Sequence, residues 1–189
     1  MNPRTAYDIW TATIENDGSG LRAGKPEIFL QTPADERHPA FSPDGRWLAY
    51  SSNESGAYQV YVRAFPDKGG KWQISNAGGV YPVWSGNGHE LFFRGDDNRI
   101  MVATYAAPRK QGGADSFAPD KPGVWSDKQL ANLGLINIGN YDLAPDGKRI
   151  AALMPVETPE TPGAQQTQNH VIFLENFADE LQRRVPTGK

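Results

Sequence analysis

Short alternating and apolar runs, punctuated by turn residues, set the pattern of this chain, and one such stretch recurs. The segment from His38 to Asn53, HPAFSPDGRWLAYSSN, returns in degenerate form at Tyr81 to Arg94, YPVWSGNGHELFFR, and at Tyr141 to Met154, YDLAPDGKRIAALM. Each copy joins a short apolar strand to a second one through a tight turn of the Pro-Asp-Gly kind, which makes it a hairpin with its turn chemistry in place. Aligned on Pro39 and Pro82, the first two copies stand roughly 40 to 50 residues apart, the period of four-stranded propeller blades. One hairpin cannot bury both its faces, so the repeat predicts an all-β architecture of packed sheets: a partial β-propeller of about 3 to 4 four-stranded blades with one short C-terminal helix.

Along the chain, Asp8 to Ile14 alternates with Trp10, Ala12 and Ile14 on one face, and Glu27 to Gln31 is a second short strand after the Gly-rich stretch Asp17 to Lys25. These read as the last two strands of a blade over residues 1–33. Residues 37–76 make a full blade: an inner strand at Pro39 to Ser42, then Arg46 to Ser51, Tyr58 to Phe65 and Trp72 to Ser75. Trp47 to Tyr50 is apolar on both faces, as befits a strand between neighbouring blades. Residues 80–127 repeat the order, with strands at Tyr81 to Trp84, Glu90 to Arg94 and Arg99 to Tyr105. The polar insertion Ala107 to Lys121 reads as a surface loop that displaces the outer strand to Val124 and Trp125. The last unit, 137–175, is incomplete, interrupted by the low-complexity loop Pro155 to Gln168 before a strand at His170 to Leu174. Asn176 to Val185 is the one helix, capped by Asn176, with Arg183 and Arg184 in its last turn and Pro186 as its stop. All of this is expected to be one domain over 1–189.

Composition changes the picture little. The net charge of −3 is spread over 19 basic and 22 acidic residues without a basic cluster, so nucleic acid is not an expected partner. The chain has no cysteine, hence no disulfide framework and no thiolate metal site. No apolar run approaches the roughly 20 residues of a membrane helix, and no direct membrane insertion is expected.

Candidate chemistry is sparse. His38, His89 and His170 fall in different units and do not predict a metal site. Asp44 and Asp146 recur at equivalent turn positions, which points to Asx-type backbone bonding. Gly95-Asp96-Asp97-Asn98 is rich in oxygen ligands but lacks the spacing of a calcium loop and reads as a plain hairpin turn. The tripeptide Arg94-Gly95-Asp96 and the sequon Asn53-Glu54-Ser55 are chance-level matches. Trp10, Trp47, Trp72, Trp84 and Trp125 fall at corresponding strand positions and are expected in the core and between blades. No catalytic, cofactor-binding or metal-binding residue and no cofactor is assigned; Glu90, Asp97 and Asp142 are candidates for channel acids by residue type alone.

The residues resemble a family: TolB-like β-propellers, closest to the propeller in the C-terminal region of bacterial transmembrane serine/threonine kinases. The resemblance rests on YDIW at Tyr7 to Trp10, FLQTPADERHPAFSPDGRWLAYSSNESGAYQVYVRAFP from Phe29 to Pro66, GGKWQIS from Gly69 to Ser75, the aromatic and ELFF pattern from Trp84 to Phe93, and the ending LQRRVPTGK at Lys189. It implies a closed ring of six or seven blades, of which this chain carries about half. It implies no kinase activity here, because the chain has no Gly-rich nucleotide loop, HRD or DFG motif. A soluble, extracytoplasmic location follows if the chain belongs to such a kinase.

Three functions compete. The first is a non-catalytic scaffold binding a protein, peptide or small ligand, as the sensory or interaction region of a receptor-type kinase. The second is a self-assembling half-propeller: a homodimer in which two chains close one ring, the strands near Asp8 and Glu27 completing the partner's Tyr141 to Met154 hairpin. The alternative to self-closure is completion by the missing part of a longer chain. The third is a carbohydrate lyase or hydrolase using channel carboxylates. The first is favoured, and the chain is not expected to be an enzyme.

Overall fold

The computed structural model describes residues 7–66, 69–108, 116–134 and 138–156. The expected helix Asn176–Val185, the strand His170–Leu174, the body of the Pro155–Gln168 loop and His170 lie outside the described residues. The chain divides into two compact units, Met1–Pro155 and Val156–Lys189, and every strand below belongs to the first.

The chain begins with β1 (Ile9–Thr11), β2 (Ile14–Asn16), β3 (Leu21–Ala23) and β4 (Glu27–Leu30). β1 pairs antiparallel with β4, and β2 with β3. The expected single strand from Asp8 to Ile14 is therefore corrected. The Gly-rich stretch folds back as a hairpin of its own, with Gly18 N donating to Asn16 Oδ1 and Ser19 N to Asp17 Oδ1, and Ile14 is taken into that hairpin. The expected apolar face also inverts: Ile9 and Phe29 are buried, while Trp10 is 53% and Ile14 78% exposed.

The best-formed sheet is four-stranded, in the order β5 (Glu36–Phe41), β6 (Trp47–Ser52), β7 (Gln59–Ala64), β8 (Lys71–Gln73). Every residue of β6 is buried. Its alternate side chains feed two different cores, because successive residues of a strand point to opposite faces. Trp47 and Ala49 join Val60, Val62, Trp84, Leu91 and Phe93; Leu48 and Tyr50 join Ile9, Phe29 and Tyr61. The double-sided apolar run in the sequence is thus explained by a sheet on each side.

The next sheet runs β9 (Val80–Trp84), β10 (Glu90–Arg94), β11 (Arg99–Ala106), with β12 (Ala118–Pro119) on one part of β11 and β13 (Gly123–Gln129) on another. β10 repeats the division seen in β6. Leu91 and Phe93 face the preceding sheet, and Phe92 faces a third core with Val80, Ile100 and Tyr141. A last hairpin, β14 (Tyr141–Leu143) with β15 (Ile150–Ala152), follows. Consecutive antiparallel meanders stacked face to face, each sharing apolar faces with its neighbours, make the chain an all-β partial propeller.

One turn design recurs. Gly45 N donates to Ser42 O, Gly88 N to Ser85 O and Gly147 N to Ala144 O, while Ser42 N, Ser85 N and Ala144 N bond Trp47 O, Glu90 O and Arg149 O. The closing residue is left-handed each time, with φ of 69°, 72° and 64°, which only glycine adopts without penalty. Asp44 Oδ1 accepts from Arg46 N and Asp146 Oδ1 from Lys148 N, the expected Asx bonding.

Two expectations about the core need correction. The insertion is not wholly a surface loop: Phe117 is buried in the first core, 5.1 Å from the Trp47 ring and 4.9 Å from that of Tyr105. The end of the strands would otherwise expose that aromatic cluster, and Phe117 closes it. The five tryptophans also part company. Trp47 and Trp84 are buried and Trp72 packs against them, but Trp10 and Trp125 lie about half exposed on sheet faces, Trp125 with an edge contact to Phe92 at 5.9 Å between ring centroids. Truncating Phe117 to Ala is expected to cost about 3 kcal/mol of unfolding free energy, as for a core aromatic. Trp125→Ala should cost less than about 1 kcal/mol. Urea unfolding of the two variants checks the assignment, and similar losses would refute it.

Candidate functional site

The starts of the inner strands β5 and β9 carry the unusual backbone of this molecule. His38 and Tyr81 are non-glycine residues in left-handed conformation, with φ of 53° and 57°. Each precedes a proline, which disfavours the right-handed helical region, and each accompanies a break in ladder register, between Arg37 and Ala40 and opposite Phe92 to Arg94. Such residues cost about 1–3 kcal/mol each and persist where surrounding packing enforces them. The two rings pack on each other, centroids 3.9 Å apart, joining the two sheets at this end.

A polar cluster surrounds this contact. Arg37 Nε donates to Asp35 Oδ2 at 2.7 Å and Arg37 Nη2 lies 2.6 Å from the same oxygen. The Tyr58 hydroxyl donates to it too, and Asn53 Oδ1 accepts from Asp35 N at 2.9 Å. The Arg37 guanidinium lies 4.4 Å from the Tyr7 ring centroid and 5.8 Å from that of Tyr58, within cation–π reach. His38 Nδ1 is 3.2 Å from Ser51 Oγ. Burial alone raises the Asp35 carboxyl, but the hydrogen bonds from Arg37 and Tyr58 outweigh it and hold its pKa below the ordinary value. Burial, reinforced by the bond to Asp35, pushes the Tyr58 hydroxyl up to about 12.

Beside this cluster lies a groove of about 490 Å³, lined by Tyr7, Asp8, Ile9 and Trp10 on one side and by Glu36, Arg37, His38 and Pro39 on the other. Burial raises the pKa of Glu36, and a raised carboxyl beside a histidine could signal an acid catalyst. The geometry argues otherwise: the Glu36 residue is 2% exposed, its Oε1 takes the Thr32 hydroxyl, and its Oε2 is buried without a hydrogen-bond partner. The acid is turned into the protein, away from any substrate in the groove.

The candidate channel acids are not brought together. Glu90 opens β10 and accepts from Asn87 Nδ2 at 2.9 Å, whereas Asp97 lies in the turn beyond the far end of the same strand. Several strand rises of about 3.3 Å separate them. Asp142 sits on β14 in another sheet, with Oδ1 on Leu143 N. His89 is exposed in the β9–β10 turn, apart from His38. The 95–98 segment is the expected hairpin turn, closed by Asn98 N to Gly95 O and Gly95 N to Arg99 O. Sequence reasoning missed Asp35, Arg37, Tyr58 and Tyr81 as a group, because Tyr58 and Tyr81 come from segments distant from the Asp35–Arg37 pair; the one available signal was an aromatic residue before proline at the same place in two copies.

No protein-family model and no curated protein matches the chain. Among solved structures, an Agrobacterium tumefaciens protein described as a TolB aligns over 61% of this chain and 47% of its own, at 18% identity and a TM-score of 0.38. The chain thus matches about half of that TolB-like neighbour's length.

The Asp35–Arg37–Tyr58 network has a testable pH signature. A carboxyl with a depressed pKa stabilises the fold above its ordinary value, here 3.8, and that contribution is lost as pH falls through the folded-state value. Asp35→Asn should cost about 2 kcal/mol at neutral pH by removing the carboxylate that takes the bonds of Arg37 and Tyr58. The gap to the unsubstituted protein should close in acid. Chemical denaturation at both pH values reads it, and a pH-independent gap would contradict the network.

Proposed function

We propose that the chain is a non-catalytic propeller scaffold that binds an extended protein or peptide segment in the groove between Tyr7–Trp10 and Glu36–Pro39. The observation that carries this reading is the groove wall itself. Tyr7 and Trp10 are each 53% exposed there, opposite Arg37, whose geometry is fixed by Asp35. Rigid aromatic rings beside a preorganised guanidinium are the residue types that dominate protein interfaces. An extended ligand suits the site because β1 pairs only with β4 among the described residues; beyond the Glu36 N to Tyr7 O bond that joins the two walls at one end, its other edge is left for strand addition. The sequence resemblance to the bacterial kinase propellers supports placing such a scaffold in the extracytoplasmic sensory region of a receptor-type kinase. The test is an NMR titration of the labelled chain with a panel of extended octapeptides. Binding should perturb the amides of Tyr7, Trp10, Arg37 and His38 together, and ligands that perturb only residues elsewhere would overturn the site.

Self-closure is a second reading, favoured by two complementary half-sheets. β14–β15 is a two-stranded hairpin built on the repeat's inner turn, and β1–β4 is a two-stranded sheet without such a turn. Set edge to edge across two copies, they would complete one four-stranded blade. The cross-strand partners Trp10 and Ile28, and Leu153 and Met154, are exposed where such a contact would form. Light scattering should then give a dimer near twice 20.8 kDa, and Trp10→Lys should shift it toward monomer. A monomer across the whole concentration series removes this reading and leaves the groove untouched.

A further inference from the structure

Apart from the groove, Arg94 occupies a position that the repeat does not require to be charged. In β5–β6, Ser51 pairs in register with Arg37, the residue before His38, and Ser51 Oγ meets the His38 ring. In β9–β10, Arg94 pairs in register with Val80, the residue before Tyr81, and its guanidinium lies 5.2 Å from the Tyr81 ring centroid. The same place in two successive units therefore holds a neutral hydroxyl in one and a guanidinium in the other.

Arg94 is only 7% exposed. Among the described residues no carboxylate forms an ion pair with it and no acceptor takes a hydrogen bond from its guanidinium. None of its nitrogens is among the buried atoms without a partner, so they retain contact with solvent. The Tyr141 hydroxyl donates to Tyr81 O at 2.6 Å and takes no hydrogen bond from Arg94. A guanidinium with five donors, in a residue only 7% exposed and with a ring face beside it, has only the remaining solvent to take its hydrogen bonds.

We propose that Arg94 is the anchor of an anion site that takes a single carboxylate, an acidic side chain or chain terminus of a bound peptide. Charge counting selects the carboxylate over a phosphate. The neighbouring cation, Arg37, is neutralised by Asp35, which leaves one uncompensated positive charge, matched by a monoanion. The planar fork of a guanidinium receives a carboxylate through two parallel hydrogen bonds, and partial burial strengthens them. The Tyr81 ring behind the guanidinium fixes its plane, and the left-handed backbone at Tyr81 sets that ring in place.

The test is a titration of the full labelled chain, following the Nε–Hε signal of Arg94 by NMR. The probes are acetyl-Gly-Glu-Gly amide, its Gln counterpart and inorganic phosphate. The Glu peptide should shift the signal saturably and the Gln peptide should not. In Arg94→Lys, which keeps the charge and loses the fork, affinity read from backbone amides of β9 and β10 should fall about tenfold. The proposal is overturned if the Gln peptide acts as strongly as the Glu peptide, if phosphate binds more tightly than either, or if none of the three moves the signal. The wild-type comparison of Glu with Gln decides the matter even if the variant does not fold. Peptides that perturb Trp10 while leaving Arg94 still would support the groove and reject this site.

Discussion

A sheet with two apolar faces must have a neighbour on each, and this requirement governs the molecule. β6 is buried along its whole length, with Trp47 and Ala49 in one core and Leu48 and Tyr50 in another. Each large apolar side chain buried in this way contributes roughly 1.5–3 kcal/mol when removed from water, so neither face can be left to solvent. β10 meets the same requirement through Leu91 and Phe93 on one side and Phe92 on the other. The sheets stack because each one alone is an unfinished object. The half-exposed Trp10 and Trp125 mark where the stacking runs out among the described residues.

The same stacking places the polar chemistry. Where two inner strands begin side by side, their first side chains meet across the gap between sheets, and His38 against Tyr81 is that meeting. Beside it, Asp35, Arg37 and Tyr58 are tied to one another by hydrogen bonds. The cluster is therefore a product of the packing and stiffens the mouth of the groove next to it. Arg94, one ring away, belongs to the same seam but is not stabilised by it in the same manner.

Much of the strand order was legible in the sequence. The double-sided run in β6 and the Pro-Asp-Gly turn are local signals, and local signals are what a sequence displays. Phe117 was not legible, because a single aromatic in a polar insertion gives no period; only the aromatic cluster of Trp47, Trp72, Trp84 and Tyr105 shows where it must go. Ile14 was misassigned because two adjacent strands of three residues imitate one longer alternating run. The polar cluster stayed hidden for a different reason. Asp35 and Arg37 are chain neighbours, but Tyr58 and Tyr81 lie far from them and each is unremarked alone, and Arg94 stood out only inside a tripeptide that the hairpin turn beyond it renders irrelevant.

The recurring turn has an evolutionary corollary. Because Ser42–Gly45, Ser85–Gly88 and Ala144–Gly147 close with the same backbone bonds, register is written inside each turn and does not depend on the strands that follow. A unit can therefore be copied, lost or spliced beside another and still align its strands correctly. Side chains between the fixed turns can then differ from copy to copy without disturbing the frame. At one buried position the first copy carries Ser51 and the second Arg94, a hydroxyl in one unit and a charge in its sibling.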